Sequence, residues 1–319
     1  MTYVSEHLRH GLKQLHHNLA SCILGKSNEI DLLIVALLAG GHVLIEDVPG
    51  TGKTVFVKSL AKSIDGLFRR IQCNPDLLPS DITGVSIYHP KDEEFIFRPG
   101  PIMTNILLVD EINRATTKTQ SALLEAMEER HITVDGTKYE LPRPFLLLAT
   151  QNPIDFEGTY TLPEAQLDRF MIKLSLGYPD HSTELQMVKS QSRAHPVDTI
   201  QPIMDHQQLL FMQQQVKEIH IDDAVIIYII DIVRNTREHA AIFLGSSPRA
   251  TMQFVQAVKA YAYLQEREFV IPDDVKYIAP YVLAHRMLLH TETQMSGDTM
   301  YTILKSLINQ VVVPVRMEN

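Results

Sequence analysis

The residues most capable of chemistry form a glycine-rich segment, Gly50-Thr51-Gly52-Lys53-Thr54. It follows the apolar run Val43 to Ile45 and precedes the helical pattern Val55 to Ile64. At such a junction the glycines let backbone N–H groups close around phosphate oxygens, the lysine reaches the β and γ phosphates, and the Thr54 hydroxyl ligates Mg²⁺. The segment predicts a nucleoside triphosphate site contacted by Pro49, Gly50, Thr51, Gly52, Lys53, Thr54 and Val55.

One residue departs from the general phosphate-loop pattern GxxxxGK[ST]. That pattern has glycine at position 47, where this chain has Asp47. The alternative interpretation is a glycine turn that only begins a helix. The Lys-Thr pair and the preceding strand favour the phosphate loop.

A second feature is an apolar run, Ile106 to Val109, that ends in the carboxylates Asp110 and Glu111. Hydrolysis of a phosphoanhydride needs two roles: Asp110 can hold Mg²⁺ through water, and Glu111 can orient and deprotonate the attacking water. Taken alone, the two acids could merely cap a following helix. The upstream Lys-Thr loop favours the catalytic interpretation.

Asn152 follows the apolar run Phe145 to Ala149. Ligands of open α/β sheets bind at the carboxyl ends of the strands. If this strand lies between the loop strand and the acidic strand, Asn152 can contact both the γ phosphate and the water. The alternative is a turn asparagine before Pro153.

Two arginines complete the candidate catalytic set. With Ser247 as N-cap and Pro248 as first helical residue, Arg249 lies in a first helical turn, where the helix dipole opposes a cation by about 0.3 to 1 kcal/mol. A nucleotide phosphate or a neighbouring carboxylate would compensate for this. Arg169, in Leu-Asp-Arg-Phe, is by itself typical of a solvated or paired surface residue.

Short apolar runs alternate with helical stretches up to about residue 175, a pattern typical of parallel strands joined by helices. The five predicted strands are Val43 to Ile45, Phe68 to Ile71, Ile106 to Val109, Phe145 to Ala149 and Met171 to Leu174. Helical periodicity also predicts an opening helix through Leu8, Leu12, Leu15 and Leu19 and, after a proline-containing linker, helices around residues 226–233, 254–261 and 275–282.

Composition limits the function classes. The 29 basic and 38 acidic residues give a net charge of −9, which argues against direct nucleic-acid binding. Cys22 and Cys73 form no paired pattern, so a reducing compartment suffices. The apolar stretch Leu32 to Ile45 is too short and too interrupted to span a membrane, and the first residues lack a secretory pattern. We expect a cytoplasmic protein without membrane insertion.

Two further segments and one misleading motif are visible. Residues 132–141 predict a hairpin around Asp135-Gly136, and the Pro- and Gly-containing segment 81–102 cannot form one regular element. Asp81 to Gly84 matches the DxxG pattern of GTPases, but the chain has no NKxD motif, so guanine specificity is unsupported.

The chain resembles MoxR-family AAA+ ATPases over nearly its whole length. In that family's phosphate loop Asp often stands where the general pattern has Gly, as Asp47 does here. The stretches that carry the resemblance are Gly41 to Thr54, Asn74 to Gly84, Arg98 to Ile102, Asp110 to Ala115 and Thr119 to Met127.

The resemblance implies a five-stranded parallel P-loop sheet domain followed by a smaller all-α lid. It implies that ATP and Mg²⁺ bind and that Thr54 and Asp110 hold the metal ion. Glu111 would be the carboxylate that activates water, Asn152 sensor 1, Arg169 an arginine finger reaching a neighbouring subunit, and Arg249 sensor 2. The implied domains are 1–178, with a helix-2 insert in 81–102 and a pre-sensor hairpin in 131–142, a linker 179–206, and a lid 207–319.

The resemblance also implies partners and a role. The implied assembly is a homo-oligomer in the form of a hexameric ring. The implied role is chaperone-like remodelling or maturation of protein complexes, and von Willebrand factor A domain proteins are among the implied clients. Three other interpretations stay open: a P-loop small-molecule kinase, a non-catalytic nucleotide-gated scaffold and, with least support, a DNA-directed motor.

Overall fold

The computed structural model describes residues 2–153, 159–190 and 196–314. Its main sheet has five strands: β1 (Val43–Glu46), β2 (Phe68–Gln72), β5 (Ile106–Asp110), β8 (Leu146–Gln151) and β9 (Ile172–Leu174). The strand order is β2-β5-β8-β1-β9. The paired residues of β1 with β8, β5 with β8 and β2 with β5 run parallel. The predicted five-stranded parallel sheet is therefore confirmed.

Strand β8 lies between β1 and β5, as the interpretation of Asn152 requires. Leu148 pairs with both Val43 and Leu108. Strands β5 and β8 are buried almost throughout, so both of their faces are covered and polar residues do not alternate along them. The loops after β1, β5 and β8 consequently leave the same edge of the sheet.

Helices precede, connect and follow these strands. They are α1 (Thr2–Cys22), α2 (Ser27–Ala39), α3 (Lys53–Ser63), α4 (Pro79–Thr83), α5 (Thr117–Glu129), α6 (Glu164–Leu167), α7 (His181–Ser190) and α8 (Pro196–Thr199). In α1 the predicted apolar positions Leu12, Leu15 and Leu19 are buried; the side chain of Leu8 lies outside the described part.

Two antiparallel hairpins extend from this unit. One joins β3 (Gly84–His89) to β4 (Glu94–Pro99), and the other joins β6 (His131–Val134) to β7 (Thr137–Glu140). The Phe97 and Tyr139 rings stack across the two hairpins with centroids 4.0 Å apart. The second hairpin was predicted. The first was not, although its segment was correctly excluded as a single regular element.

The carboxyl-terminal part is mostly helical. It contains α9 (His206–Glu218), α10 (Asp223–Glu238), α11 (Pro248–Leu264), α12 (Pro272–Leu283), α13 (Thr291–Met295) and α14 (Met300–Gln310). The predicted starts at Asp222 and Ser247 are confirmed, since both side chains accept a hydrogen bond from their own helix. A short ribbon of β10 (Ile242–Leu244) and β11 (Leu288–Leu289) adds to the predicted helices.

The chain divides into two compact units that are not contiguous in sequence. Asp31–Gly41 and Pro163–Lys173 belong with Met212–Asn319 in the second unit, and the first unit contains the rest. The boundaries 1–178, 179–206 and 207–319 stay a prediction. In the described part of the chain, none of the helices combines the length and apolar character needed to cross a membrane.

His42, which directly precedes β1, is a buried polar residue with two backbone partners. Its Nδ1 accepts a hydrogen bond from the Leu147 N–H at 3.0 Å, so the ring proton lies on Nε2, which is 3.1 Å from the Met127 carbonyl oxygen. Burial, and to a lesser extent the charge of Arg130, lowers the pKa of His42 to about 3. The fold therefore holds a neutral imidazole.

We expect the free energy of unfolding to fall as the pH drops from 6.5 toward 3. The unfolded chain binds a proton at His42 below pH 6.5, whereas the folded chain binds it only near pH 3. One such group reduces stability by at most about 1.4 kcal/mol per pH unit in this window. Urea denaturation at several pH values measures the slope.

His42→Gln should make this slope shallower by about one proton. Thr104→Val serves as control, because it removes a buried hydrogen bond to the Leu67 carbonyl oxygen but no titrating group. The control should lower stability equally at every pH. A slope that is the same in His42→Gln and wild type would contradict this account.

Candidate functional site

The loop between β1 and α3 adopts a backbone that requires glycine at two positions. Gly50 and Gly52 have φ values of 88° and 89°, in the left-handed region that other residues avoid. A Cβ atom at Gly50 would meet no atom within 4 Å, so conformation rather than space demands the glycine. Helix α3 begins at Lys53, and among the described residues no side chain caps its first turn. Its first N–H groups are thus available to a ligand.

Lys53 lies folded over the loop it belongs to. Its ammonium donates to the carbonyl oxygens of Asp47 at 3.0 Å and Val48 at 2.9 Å. These neutral acceptors do not balance a full positive charge. Together with a helix dipole that disfavours a cation in the first turn, this arrangement favours an anion beside Lys53.

Asp47 anchors the loop. One carboxylate oxygen accepts from the Val48 N–H at 2.9 Å, and the other accepts from the Leu176 N–H at 2.8 Å and the Gly177 N–H at 2.9 Å. The side chain is buried. Glycine, as in the general phosphate-loop pattern, could make none of these bonds. The departure at position 47 is therefore a structural tie between the loop and the segment after β9.

The acidic strand end is a connected polar cluster. Asp110 is buried, and its carboxylate accepts from the Thr150 hydroxyl at 3.0 Å and from Arg70 Nε at 2.6 Å. The same Thr150 oxygen accepts from the Glu111 N–H at 2.9 Å. Burial, and then the charges of Asp110 and Glu111, raise the pKa of the Cys73 thiol to about 12. The Cys73 thiol is therefore neutral beside the two acids.

Glu111 is held in an unusual conformation. Its backbone is left-handed, with φ 56° and ψ 51°, which is strained for a residue with a side chain. The carboxylate accepts from Gln72 Nε2 at 3.0 Å and lies 3.1 Å from Arg114 Nε. Behind it, the buried Gln120 amide donates to the carbonyl oxygens of Ile112, Ala115 and Tyr160, which fixes the turn that follows Glu111.

The remaining predicted residues of the first unit lie along the same sheet edge. Asn152 is buried directly after β8. Thr54 is half-buried in the first turn of α3, and Val55 beside it is exposed. The strand order thus brings together the loop after β1, the acids after β5 and Asn152 after β8.

The two arginines belong to the second unit. Ser247 Oγ accepts from the Ala250 N–H at 3.2 Å and caps α11, so Arg249 does lie in a first helical turn. Arg169 follows Asp168, which is the C-cap residue of α6. A carboxylate, Asp168, accepts from the Ser247 hydroxyl at 2.8 Å at the start of α11; what balances the charge of Arg249 stays a prediction.

Sequence reasoning missed three residues of the acidic cluster: Arg70, Gln72 and Thr150. The register of the neighbouring strands is the feature that places these three residues beside the acids. Gln72 pairs with Asp110, and Thr150 follows the residue that pairs with Val109. Polar residues at the ends of neighbouring parallel strands meet at one edge, so a correct strand order would have placed them beside the acids.

Comparison with known proteins identifies the family. A model for the ATPase family associated with various cellular activities (AAA) matches residues 42–172, and one for an AAA lid domain matches residues 234–306. Over 96% of this chain and 83% of the relative, the sequence is 37% identical to Chaperone MoxR1 of Mycobacterium tuberculosis. The chain belongs to the MoxR family of AAA+ ATPases.

Other relatives agree with this membership. The Bacillus subtilis protein YeaC, which is uncharacterized, is 52% identical over 92% of both chains. The crystal structure of a candidate ATPase from Cytophaga hutchinsonii superposes with a TM-score of 0.91 and 36% identity, covering 98% of each chain. The MoxR-family fold, a parallel sheet domain with a helical lid, is thus confirmed.

The residues present suit Mg-nucleotide. A hydroxyl on Thr54 and a carboxylate on Asp110 are the oxygen donors that Mg²⁺ prefers, and phosphates and water usually complete its shell. Among the described residues no cluster of three or more His, Cys, Asp or Glu side chains could hold a metal by itself. The oxygen donors of Thr54 and Asp110 fit a Mg²⁺ ion that binds together with phosphate.

We expect Asp47→Asn to lower the free energy of unfolding by about 1.5 to 3 kcal/mol. The amide keeps the size of the side chain but turns an N–H₂ group toward the donors of Leu176 and Gly177. Urea denaturation measures the loss. The exposed Asp76→Asn is the matched control and should change stability by less than about 0.5 kcal/mol. Equal stability of the two variants would contradict the anchoring role.

Proposed function

We propose that this MoxR-family chain hydrolyses ATP with Mg²⁺ and uses the cycle, as an oligomer, to remodel or mature protein complexes. The observation that carries the proposal is the strand order, with β8 between β1 and β5. It places the glycine loop, the acid pair and Asn152 at one edge of the sheet. The names of the relatives, among them a chaperone, support the protein-directed role.

The loop binds the triphosphate. Backbone N–H groups of residues 49–55 surround the phosphates, and Lys53 exchanges its two loop carbonyls for phosphate oxygens. Thr54 and Asp110 would hold the magnesium ion, which would neutralise charge on the phosphates. The Asp47 anchor keeps the loop open to the phosphates, because its three hydrogen bonds are made without Lys53.

Glu111 activates the water. Its carboxylate takes a proton as the water attacks the γ phosphorus, and Asn152 orients the same water. Gln72 and Arg114 hold the carboxylate by one oxygen, Oε2. The other oxygen is then the one directed to water.

Arg249 and Arg169 stabilise the transferring phosphoryl group. We assign sensor 2 to Arg249, and the finger that completes the site of a neighbouring subunit to Arg169. An arginine supplied in trans contributes about 10³ to 10⁵ in rate in related phosphate-loop enzymes. A hexameric ring satisfies this requirement, because each subunit both receives and supplies a finger.

The two hairpins are the proposed contact surface for protein clients. Phe95 at the β3–β4 hairpin is 73% exposed, and Ile87 and Tyr88 are also exposed. Apolar side chains presented in this way are typical of protein contact surfaces. Separate von Willebrand factor A domain proteins are the proposed clients. The free cysteines Cys22 and Cys73 fit a reducing cytoplasm.

Glu111→Gln should bind ATP as wild type does and lose hydrolysis at least about hundredfold, because the amide cannot accept the proton. Nucleotide titration and phosphate release measure the two effects. Glu125→Gln, on an exposed position of α5, is the matched control and should keep full activity. Full turnover in Glu111→Gln would remove Glu111 from this role.

Mixing two inactive variants tests the shared site. Lys53→Ala lacks the phosphate contact, and Arg169→Ala lacks the finger, so each should be nearly inactive alone. In a mixed oligomer some sites combine an intact Lys53 with an intact neighbouring Arg169, about a quarter of them at equal concentrations. ATPase activity should therefore reappear on mixing and increase with protein concentration. If mixing restores no activity while Arg169→Ala alone is inactive, the finger does not act in trans.

A further inference from the structure

We propose that Asp168 is a positioning residue that ties the Arg169 segment to the start of the Arg249 helix, with Arg286 as its buried counter-charge. The inference rests on the proposed ATPase function, because it assigns the two arginines a common support. All of its contacts lie within the second unit.

The first contact is a shared serine. Ser247 Oγ donates its proton to Asp168 at 2.8 Å and accepts the Ala250 N–H at 3.2 Å. The hydroxyl therefore caps α11 and binds Asp168 at the same time. Asp168 is adjacent in sequence to Arg169, and Ser247 precedes Arg249 by two residues, so this one group links the two backbone segments from which the arginines extend.

Arg286 forms the second contact. Its side chain is 1% exposed, and Nη1 lies 3.5 Å from Asp168 Oδ1. Nη2 donates to the Phe170 carbonyl oxygen at 2.5 Å and also to Gln253 Oε1. Gln253 lies four residues after Arg249 on α11, on the same helix face. A planar guanidinium reaches these three partners together, whereas an ammonium on a flexible stem would not hold them in a fixed arrangement.

The segment around Arg169 is thus held on both sides. Asp168 is held through its side chain, and Phe170 is held through its carbonyl oxygen. Arg286 donates to that oxygen, and His285 Nε2 lies 2.9 Å from it. Burial lowers the pKa of the His285 ring well below its usual value, so the ring beside Phe170 is neutral. Arg286, in contrast, brings a buried charge that one carboxylate, Asp168, balances.

A support of this kind matters for rate more than for binding. Charged groups that contact a transferring phosphoryl group must be held in place before the reaction, and small displacements reduce the rate strongly. Loosening the tie should therefore lower kcat while the phosphate loop of the first unit continues to bind nucleotide.

The test uses a serine variant that the fold tolerates. Glycine is an acceptable N-cap, so Ser247→Gly removes the hydroxyl and leaves the Asp168–Arg286 pair intact. We expect kcat for ATP to fall about tenfold or more with nucleotide affinity changed less than about threefold. Ser247→Thr, which keeps the hydroxyl, should restore the rate. Thr299→Gly removes the N-cap hydroxyl of α14 and is the matched control.

A second readout does not depend on hydrolysis. Amide hydrogen exchange in residues 163–170 should accelerate about tenfold in Ser247→Gly but not in Thr299→Gly, because only the former frees that segment. If Ser247→Gly matches the control in both rate and exchange, the inference is wrong. If wild type hydrolyses no ATP, the proposed function fails, and the exchange comparison still decides whether the tie exists.

Discussion

The anchoring of one loop by a buried carboxylate is the constraint on which the site depends. Asp47 accepts three backbone N–H groups, two of them from a segment 129 and 130 residues further along the chain. Backbone groups at this point would otherwise lack partners, and a loop held only by glycines would lose more conformational entropy on binding a phosphate. The Asp47 carboxylate thus restrains a loop that Gly50 and Gly52 would otherwise leave flexible.

The acid pair depends on a different kind of restraint. Asp110 ends a buried strand, and the next residue, Glu111, turns into a left-handed backbone. Thr150 joins the two, since its single oxygen donates to the Asp110 carboxylate and accepts the Glu111 N–H. The strained turn persists because the neighbouring strand over-determines it. The backbone positions of both acids thus follow from the register of β5 against β8.

The sequence predicted an element correctly where the feature that forms the element also leaves a local pattern of residue types. Buried strands produced uninterrupted apolar runs, and the cap residues Asp222 and Ser247 marked helix starts correctly. The β3–β4 hairpin was missed because prolines and glycines at its ends obscure a short alternation whose apolar residues are exposed on both faces. Because these residues do not pack into the core, burial does not impose an alternation of apolar and polar residues on this hairpin.

Contacts between residues that are distant in sequence could not be predicted from local sequence patterns. Gln72, Thr150 and Arg70 meet the acids only because β2, β5 and β8 are neighbours. Likewise, the short piece Pro163–Lys173 joins a unit whose main part starts at Met212. The support that Arg286 gives to the Arg169 segment spans more than a hundred residues of sequence. Such pairs follow from topology, which periodicity does not specify.

The central claim is that the loop after β1 binds the triphosphate of ATP. Calorimetric titration of folded wild-type protein with a non-hydrolysable ATP analogue in magnesium buffer tests it most directly. The account predicts saturable binding that is lost in Lys53→Ala when that variant unfolds at the same temperature as wild type. Absence of binding to wild type, or equal binding to both proteins, would contradict it.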